Sequence, residues 1–183
     1  MNEQLDFLKL IASRLDGAGM PYMITGSMAM AVYSQPRMTR DIDLVVDLNP
    51  ADGDRLVGLF REDCYIDGEA VKDAINRASM FNVIHKEWTA KADFIIRKNE
   101  EYRKVEFARR RKVSVAQVDV WVVSVEDLIL SKLVWRGQSR SELQLTDVRQ
   151  LITSNPGLDW NYLRKWATEL GVEGTLWEMK NNA

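Results

Sequence analysis

The chain has 183 residues, of which 46% are hydrophobic and 28% are charged, and its formal net charge is -2. This size and composition are typical of one globular domain with a sizeable core, and the charge argues against a general nucleic-acid coat protein, though not against a local basic groove. The N-terminal sequence MNEQLDFLKL lacks the basic head and apolar run of a signal peptide. No window approaches about 18 uncharged apolar residues, and Cys64 is the only cysteine. We therefore expect a cytoplasmic protein without a membrane span, an internal disulfide or a cysteine-rich zinc site.

The hydrophobic periodicity predicts an α+β fold: a mixed-sheet core flanked by helices, followed by a helical C-terminal subdomain. The core is predicted to occupy residues 1–123 and the helical subdomain residues 124–183. Within the core, helices are predicted over 5–17, 27–33, 50–60, 69–78 and 100–111, and strands over 21–25, 41–48, 80–85, 89–97, 113–115 and 118–123. Everything after residue 123 has helical spacing, and Asn155-Pro156-Gly157 interrupts it.

Two aspartates, Asp41 and Asp43, lie on one face of the predicted strand 41–48, because side chains alternate along a strand. Ile42 and Leu44 begin the opposite face, which is apolar and suits the core. Two like charges on one face repel each other unless solvent or a cation compensates them. Paired carboxylates that share oxygen ligands with a phosphate are a usual arrangement for Mg²⁺. The pattern therefore indicates either a solvated acidic face or a metal site.

A Gly-Ser pair, Gly26-Ser27, lies between a predicted strand and a predicted helix. A helix N-terminus presents free backbone N–H groups and the positive end of the helix dipole. Gly26 allows a phosphate to approach closely because it has no Cβ. Ser27 either caps the helix or donates its hydroxyl to a phosphate oxygen.

Together, Gly26-Ser27, a spacer of 13 residues and Asp41-Ile42-Asp43-Leu44 resemble the signature of the nucleotidyltransferase superfamily related to DNA polymerase β. Thr25 stands where that signature prefers a more apolar residue. The resemblance implies transfer of an NMP from an NTP to an acceptor hydroxyl. It also implies that Asp41 and Asp43 bind Mg²⁺ or Mn²⁺ and that Gly26 and Ser27 hold the triphosphate.

The resemblance further requires a third carboxylate on a neighbouring strand. Asp93, in KADFIIR, is the preferred candidate for this metal-binding and catalytic role, and it shares its strand face with Lys91. Asp119, in QVDVWVV, is the alternative, with a similar local pattern. Asp93 is preferred because its strand comes earlier, before the helical part of the chain, as the resemblance implies.

A second resemblance lies in the helical part. Ser124 and Asp127 form a variant capping box, and the segment from Glu126 to Lys132 is similar to a region of the abortive-infection toxin branch of the same superfamily. That branch carries an aspartate in a later helix, where this chain has Asp147. The resemblance implies that Lys132 contacts the phosphates or the nucleotide, that the protein is a toxin, and that an antitoxin is its partner. The alternative is an internal ion pair between Lys132 and Asp147.

The basic residues leave the acceptor open. Arg40, next to Asp41, is predicted to neutralise triphosphate charge, whereas Arg37 is by default a solvated loop residue. The run 109–112 suits either a helix C-terminus or a contact with RNA. The acceptor is then an RNA or tRNA end, a small hydroxyl compound such as an antibiotic, or a protein. The alternative function is a catalytically silent relative that binds a nucleotide or a partner protein, against which the intact carboxylates argue.

Overall fold

The computed structural model describes residues 3–35, 41–115, 117–139 and 141–183. Its strands are β1 (Tyr22–Ile24), β2 (Asp41–Val46), β3 (Cys64–Tyr65), β4 (Met80–His85), β5 (Lys91–Ile96), β6 (Arg111–Val115) and β7 (Val118–Val122). Its helices are α1 (Glu3–Ala18), α2 (Gly26–Tyr33), α3 (Gly53–Phe60), α4 (Gly68–Arg77), α5 (Glu101–Ala108), α6 (Val125–Ser139), α7 (Glu142–Ser154), α8 (Trp160–Glu169) and α9 (Glu173–Asn181). A short 3-10 turn, Pro50–Asp52, precedes α3, and the Asn49 side chain caps that turn.

The strands form one mixed sheet in the order β3-β4-β5-β2-β1-β7-β6. The parallel pairs are β2 with β5 and β1 with β7. The pairs β1 with β2, β3 with β4, β4 with β5 and β6 with β7 are antiparallel. This arrangement confirms the predicted α+β fold with a mixed sheet.

The two faces of the central strands differ as their alternation predicts. Ile42 and Leu44 of β2 are fully buried on one face. On the same face of the sheet, Phe94 of β5 stacks on Phe81 and meets Phe60 of α3 edge to face. The polar side chains of β2 and β5 therefore all point to the other face, where the helices that follow the sheet lie.

The helices after β7 pack on the sheet through an extensive apolar surface. Leu128 of α6, Leu151 of α7, Leu163 of α8 and Met179 of α9 are buried and belong to the same apolar cluster as the sheet. Helix α6 also contacts α2, which brings it over the polar face of the sheet. The domain boundary predicted between residues 123 and 124 stays a prediction.

One local prediction was wrong, and one strand was missed. Helix α5 ends at Ala108, and Arg111 begins β6 opposite Val122, whereas the sequence predicted a helix through residue 111. Strand β3 was not predicted, because two residues are too few to show the alternation of a strand. It exists because Cys64 and Tyr65 pair with the end of β4.

Within the described residues, no helix combines the length and the apolar character that crossing a membrane requires.

Candidate active site

The three predicted carboxylates lie on the polar face of the sheet, on two adjacent strands. Parallel pairing of β2 and β5 sets Asp43 directly opposite Asp93, and Asp41 opposite Lys91. Because residues two apart on a strand share a face, all four side chains project to the same side. The register of this one strand pair therefore brings together aspartates that are about 50 residues apart in the sequence.

The turn between β1 and α2 fits closely against Asp43. The Thr25 N–H donates to the backbone oxygen of Asp43 over 2.9 Å. Gly26 has a φ of +61°, and a Cβ at this position would lie only 2.1 Å from Asp43 Oδ2. A glycine is therefore required here both for its left-handed backbone and for the space that the carboxylate occupies.

Helix α2 begins at Gly26, so Ser27 lies inside its first turn and not at the N-cap position. The residue at the N-cap is Thr25, whose side chain makes no capping hydrogen bond. Ser27 is instead buried in the first turn of α2 and lines a cleft that also contains Asp41, Asp43 and Asp93. The interpretation of Ser27 as a helix cap was therefore wrong, and a phosphate contact stays a prediction.

A cleft of about 320 Å³ lies between the sheet and helices α2, α6 and α7. Its lining residues are Thr25, Gly26, Ser27, Asp41, Asp43, Asp93, Leu128, Ser131, Lys132, Trp135 and Gln144. Six of the seven predicted site residues belong to this set. The seventh, Arg40, lies outside the described residues, as does Arg37. Asp119 is not part of the cleft; its side chain is 63% exposed on β7, with Lys112 Nζ 4.0 Å from Asp119 Oδ2.

Asp43 is the most perturbed carboxylate of the cleft. Burial raises its pKa to about 6, and the negative charges of Asp93 and Asp41 act in the same direction. The ammonium groups of Lys132 and Lys91 oppose this shift without cancelling it. In the metal-free cleft, burial and the neighbouring carboxylates therefore outweigh the effect of the two ammonium groups on Asp43.

The donor set suits Mg²⁺ or Mn²⁺, because both prefer carboxylate oxygens. Within the described part of the chain, however, no three acidic, histidine or cysteine side chains are close enough together to hold a metal ion as they stand. Lys91 Nζ lies 3.1 Å from Asp93 Oδ1 and 3.6 Å from Asp41 Oδ2. Asn82 of β4 also donates its amide N–H to Asp93 Oδ1. The ligands thus fit a divalent cation in their chemistry, while a lysine bridges two of them.

Lys132 takes part in the ion pair that the sequence left as an alternative. Its Nζ lies 2.6 Å from Asp147 Oδ2 and 3.2 Å from Gln144 Oε1, and both charged side chains are buried. Lys132 also lines the cleft and is close enough to lower the pKa of Asp43. The ion pair is therefore present, and a contact between Lys132 and a nucleotide stays a prediction.

The first half of the basic run 109–112 is engaged inside the protein. Arg109 donates to Asp127 Oδ2 over 3.0 Å and to Glu126 Oε2 over 3.2 Å. Arg110 lies over the ring of Phe107, with its guanidinium carbon 4.4 Å from the ring centroid. Contacts within the protein therefore account for both residues: Arg109 forms ion pairs, and Arg110 packs on an aromatic ring.

Several residues that line the cleft or contact its carboxylates were missed by reasoning from the sequence. Lys91 was recognised as sharing the face of Asp93, but its contact with Asp41 depends on the register of β2 and β5. Asn82, Ser131, Trp135 and Gln144 carry no motif, and only the pairing of β4 with β5 and the packing of α6 and α7 bring them to the site.

No protein-family model matches this sequence, and no curated protein matches it either. Several solved structures do resemble it. The antibiotic-resistance factor ANT(2'')-Ia has a TM-score of 0.61 and 14% sequence identity, and the match covers 91% of each chain. A nucleotidyltransferase-like protein from Paracoccidioides brasiliensis has a TM-score of 0.59 and 16% identity, over 98% of this chain and 93% of that one. The lincosamide antibiotic adenylyltransferase LnuA has a TM-score of 0.54 and 12% identity, over 82% of this chain and 96% of its own. The chain therefore has the nucleotidyltransferase fold.

Proposed function

We propose that this protein is a metal-dependent nucleotidyltransferase, which moves an NMP from an NTP to an acceptor hydroxyl. The observation that carries the proposal is the in-register pair of Asp43 and Asp93, with Asp41 on the same face and Gly26 packed against Asp43. A fold shared with proteins named as nucleotidyltransferases and adenylyltransferases supports it. A solvated acidic strand face would not need a glycine turn packed so closely against one of its carboxylates.

In this proposal the site residues predicted from the sequence take part in one displacement. Asp41, Asp43 and Asp93 hold Mg²⁺ or Mn²⁺, which neutralises phosphate charge when it is bound. The N-terminus of α2, at Gly26 and Ser27, holds the triphosphate.

The acceptor oxygen attacks the α-phosphorus as the bond from this phosphorus to the bridging oxygen of the β-phosphate breaks. Asp93 accepts the proton of the acceptor hydroxyl. Pyrophosphate leaves with its charge stabilised by Lys132 and, as the sequence predicts, by Arg40.

In-line displacement also suggests where the acceptor binds. The attacking and leaving oxygens lie on opposite sides of the phosphorus, so a triphosphate at Gly26 directs the acceptor towards β5 and β4. On β4, Met80 and Ile84 are exposed on either side of Asn82, whose side chain donates a hydrogen bond to Asp93. An acceptor with an apolar part suits this surface.

Three acceptor classes were predicted, and two of them, a small molecule and an RNA, have specific support beyond the protein class. A small hydroxyl antibiotic is one acceptor class, suggested by the lincomycin-bound adenylyltransferase with the same fold. An RNA or tRNA end is the other, and with it come the toxin role, an antitoxin partner and a cytoplasmic location. That form rests on the resemblance around Lys132 and Asp147, because internal contacts already explain Arg109 and Arg110.

The test is a transfer assay with labelled NTP and Mg²⁺, with total RNA, a panel of antibiotics and the protein itself as acceptors. Asp43→Ala is expected to abolish transfer by removing a metal ligand, while circular dichroism shows an intact fold. Asp119→Ala is the matched control, an aspartate on a neighbouring part of the sheet outside the cleft, and it is expected to retain full activity. Transfer that survives Asp43→Ala would contradict the metal assignment. Nucleotide binding without pyrophosphate release, for every acceptor, would favour the catalytically silent alternative.

A further inference from the structure

Lys91 is held between two of the carboxylates that the proposed function assigns to the metal. It lies two residues before Asp93 on β5 and directly opposite Asp41 on β2. Its ammonium is within 4 Å of an oxygen of each, at 3.1 and 3.6 Å. Both distances follow from the sheet register, because the three side chains start from neighbouring positions on one face.

We propose that Lys91 is a built-in counterion that competes with the divalent cation for Asp41 and Asp93. In the metal-free protein its ammonium compensates carboxylates that would otherwise repel each other. A free cation must displace it and therefore binds weakly, whereas a cation that arrives with the phosphates of an NTP brings additional ligands and binds well. This inference rests on the proposed function, since it concerns the same metal site.

Competition follows from the size and charge of the two cations. An ammonium and a divalent ion cannot both approach the same carboxylate oxygens, because like charges about 4 Å apart repel by several kcal/mol at the effective dielectric constant of a partly exposed site. A divalent ion also needs these oxygens as direct ligands at about 2 Å, which an ammonium held nearby obstructs.

The side chain of Lys91 can move into solvent when a cation displaces it. Its side chain is 36% exposed, so it can turn towards solvent without burying its charge. Its four-carbon stem is flexible, unlike the rigid fork of an arginine. Its cross-strand neighbour on the outer side is Ile84, which is itself exposed and leaves the route open. Lys132 differs in this respect, because it is buried and paired with Asp147.

The first test measures Mn²⁺ binding in the absence of nucleotide, by the loss of the free-Mn²⁺ signal in electron paramagnetic resonance. Lys91→Met keeps the aliphatic stem and removes the charge, and it is expected to tighten Mn²⁺ binding by about tenfold, the effect of roughly 1.4 kcal/mol. Lys91→Arg keeps a cation and is expected to bind Mn²⁺ as weakly as the wild type.

A matched control is available elsewhere in the chain. Lys72 also contacts two carboxylates, with its Nζ 3.3 Å from Asp54 Oδ1 and 3.6 Å from Glu69 Oε1, but none of these residues lines the cleft. Lys72→Met is expected to leave Mn²⁺ binding in the cleft unchanged. An equal gain in Lys72→Met and Lys91→Met would overturn the inference, because it would report only a change in overall charge.

The outcomes separate this inference from the proposed function. If wild type and Lys91→Met bind Mn²⁺ equally, and Asp43→Asn abolishes binding in both, Lys91 is not a competitor and the metal site stands. If neither protein binds Mn²⁺, even with ATP added, the proposed function fails and the inference fails with it.

A second measurement uses the wild-type residue and does not depend on whether a variant folds. Lysines carrying ¹³C-methyl groups, introduced by reductive methylation, retain their charge and give separate NMR signals. Addition of Mg²⁺ with a non-hydrolysable ATP analogue is expected to shift the signal of Lys91 and to leave that of Lys72 in place. A Lys91 signal that does not move would overturn the inference.

Discussion

At the residue scale, Gly26 is the position where the site tolerates least change. Gly26→Ala would combine a strained left-handed backbone with a Cβ that meets the Asp43 carboxylate. We expect a loss of unfolding free energy of about 1–3 kcal/mol in urea denaturation, together with loss of nucleotide binding. Gly58 is the control, because it lies within α3 and an added Cβ would meet nothing within 4 Å. Gly58→Ala is expected to stabilise the protein by about 0.5–1 kcal/mol, and equal effects at both positions would contradict this account.

The raised pKa of Asp43 predicts how stability depends on pH in the metal-free protein. The folded state holds the Asp43 proton up to about pH 6, above the range of an ordinary aspartate. Protonation of Asp43 therefore stabilises the fold at low pH, and this contribution is lost as the pH rises through about 6. Asparagine does not titrate, so Asp43→Asn does not lose this contribution to stability. The stability of the variant relative to the wild type should therefore increase as the pH rises through about 6.

Urea unfolding in EDTA, at about pH 5 and about pH 8, measures this difference. Asp119→Asn is the control, since Asp119 is exposed and outside the cleft. The difference in unfolding free energy between Asp119→Asn and the wild type should be the same at both pH values. A difference between Asp43→Asn and the wild type that is equal at both pH values would contradict the raised pKa.

At the element scale, the strands that carry the carboxylates were predictable and their pairing was not. Alternation in β2 and β5 shows which residues share a face, and the resemblance to the nucleotidyltransferase signature made Asp41, Asp43 and Asp93 the candidates among them. The parallel register that sets Asp43 against Asp93 joins segments about 50 residues apart, and it is fixed by core packing on the other face. The contact between Lys91 and Asp41 could not be predicted for the same reason. Similarly, the end of α5 depends on Arg111 pairing with β7, a contact outside the helix itself.

The ion pair between Lys132 and Asp147 links α6 to α7 and yields another prediction. Both side chains are buried, so Lys132→Met removes the ammonium that lies 2.6 Å from the buried charge of Asp147 and should cost about 3–5 kcal/mol of unfolding free energy. Adding Asp147→Leu removes that charge and should restore most of the loss, which urea denaturation of the single and double variants would measure. If the double variant is no more stable than Lys132→Met, the pair is not the source of the loss.

At the scale of the whole molecule, Asp127 of α6 connects α8 to Arg109 and Ser124, which lie in the segments before β6 and after β7. This buried carboxylate accepts hydrogen bonds from Ser124, Arg109 and Tyr162, the last over 2.6 Å. Tyr162→Phe removes only the contact from α8, and it should lower the unfolding free energy by about 1.5–3 kcal/mol, as expected for a hydrogen bond to a charged group. Tyr65→Phe, at an exposed tyrosine, should change it little. A large loss of secondary structure in Tyr162→Phe would show that the contact does more than join α8 to α6.

The fold of the whole molecule was predictable because a short motif and the order of the elements both point to it. The acceptor was not, because the surface proposed to receive it, around Met80, Asn82 and Ile84, carries no motif and lies beside Asp93 only through the pairing of β4 with β5. The fold is shared with solved structures at only 12–16% identity. Such a likeness leaves the reaction itself to be tested.

The most direct test of the central claim compares two labelled forms of ATP with Mg²⁺ and the acceptor panel. A nucleotidyltransferase moves the α-phosphorus with the nucleoside, so label from [α-³²P]ATP should appear on an acceptor and label from [γ-³²P]ATP should appear in pyrophosphate. Both signals should disappear in Asp43→Ala. Transfer of the γ-label to the acceptor, or transfer of the α-label that Asp43→Ala does not reduce, would contradict the account.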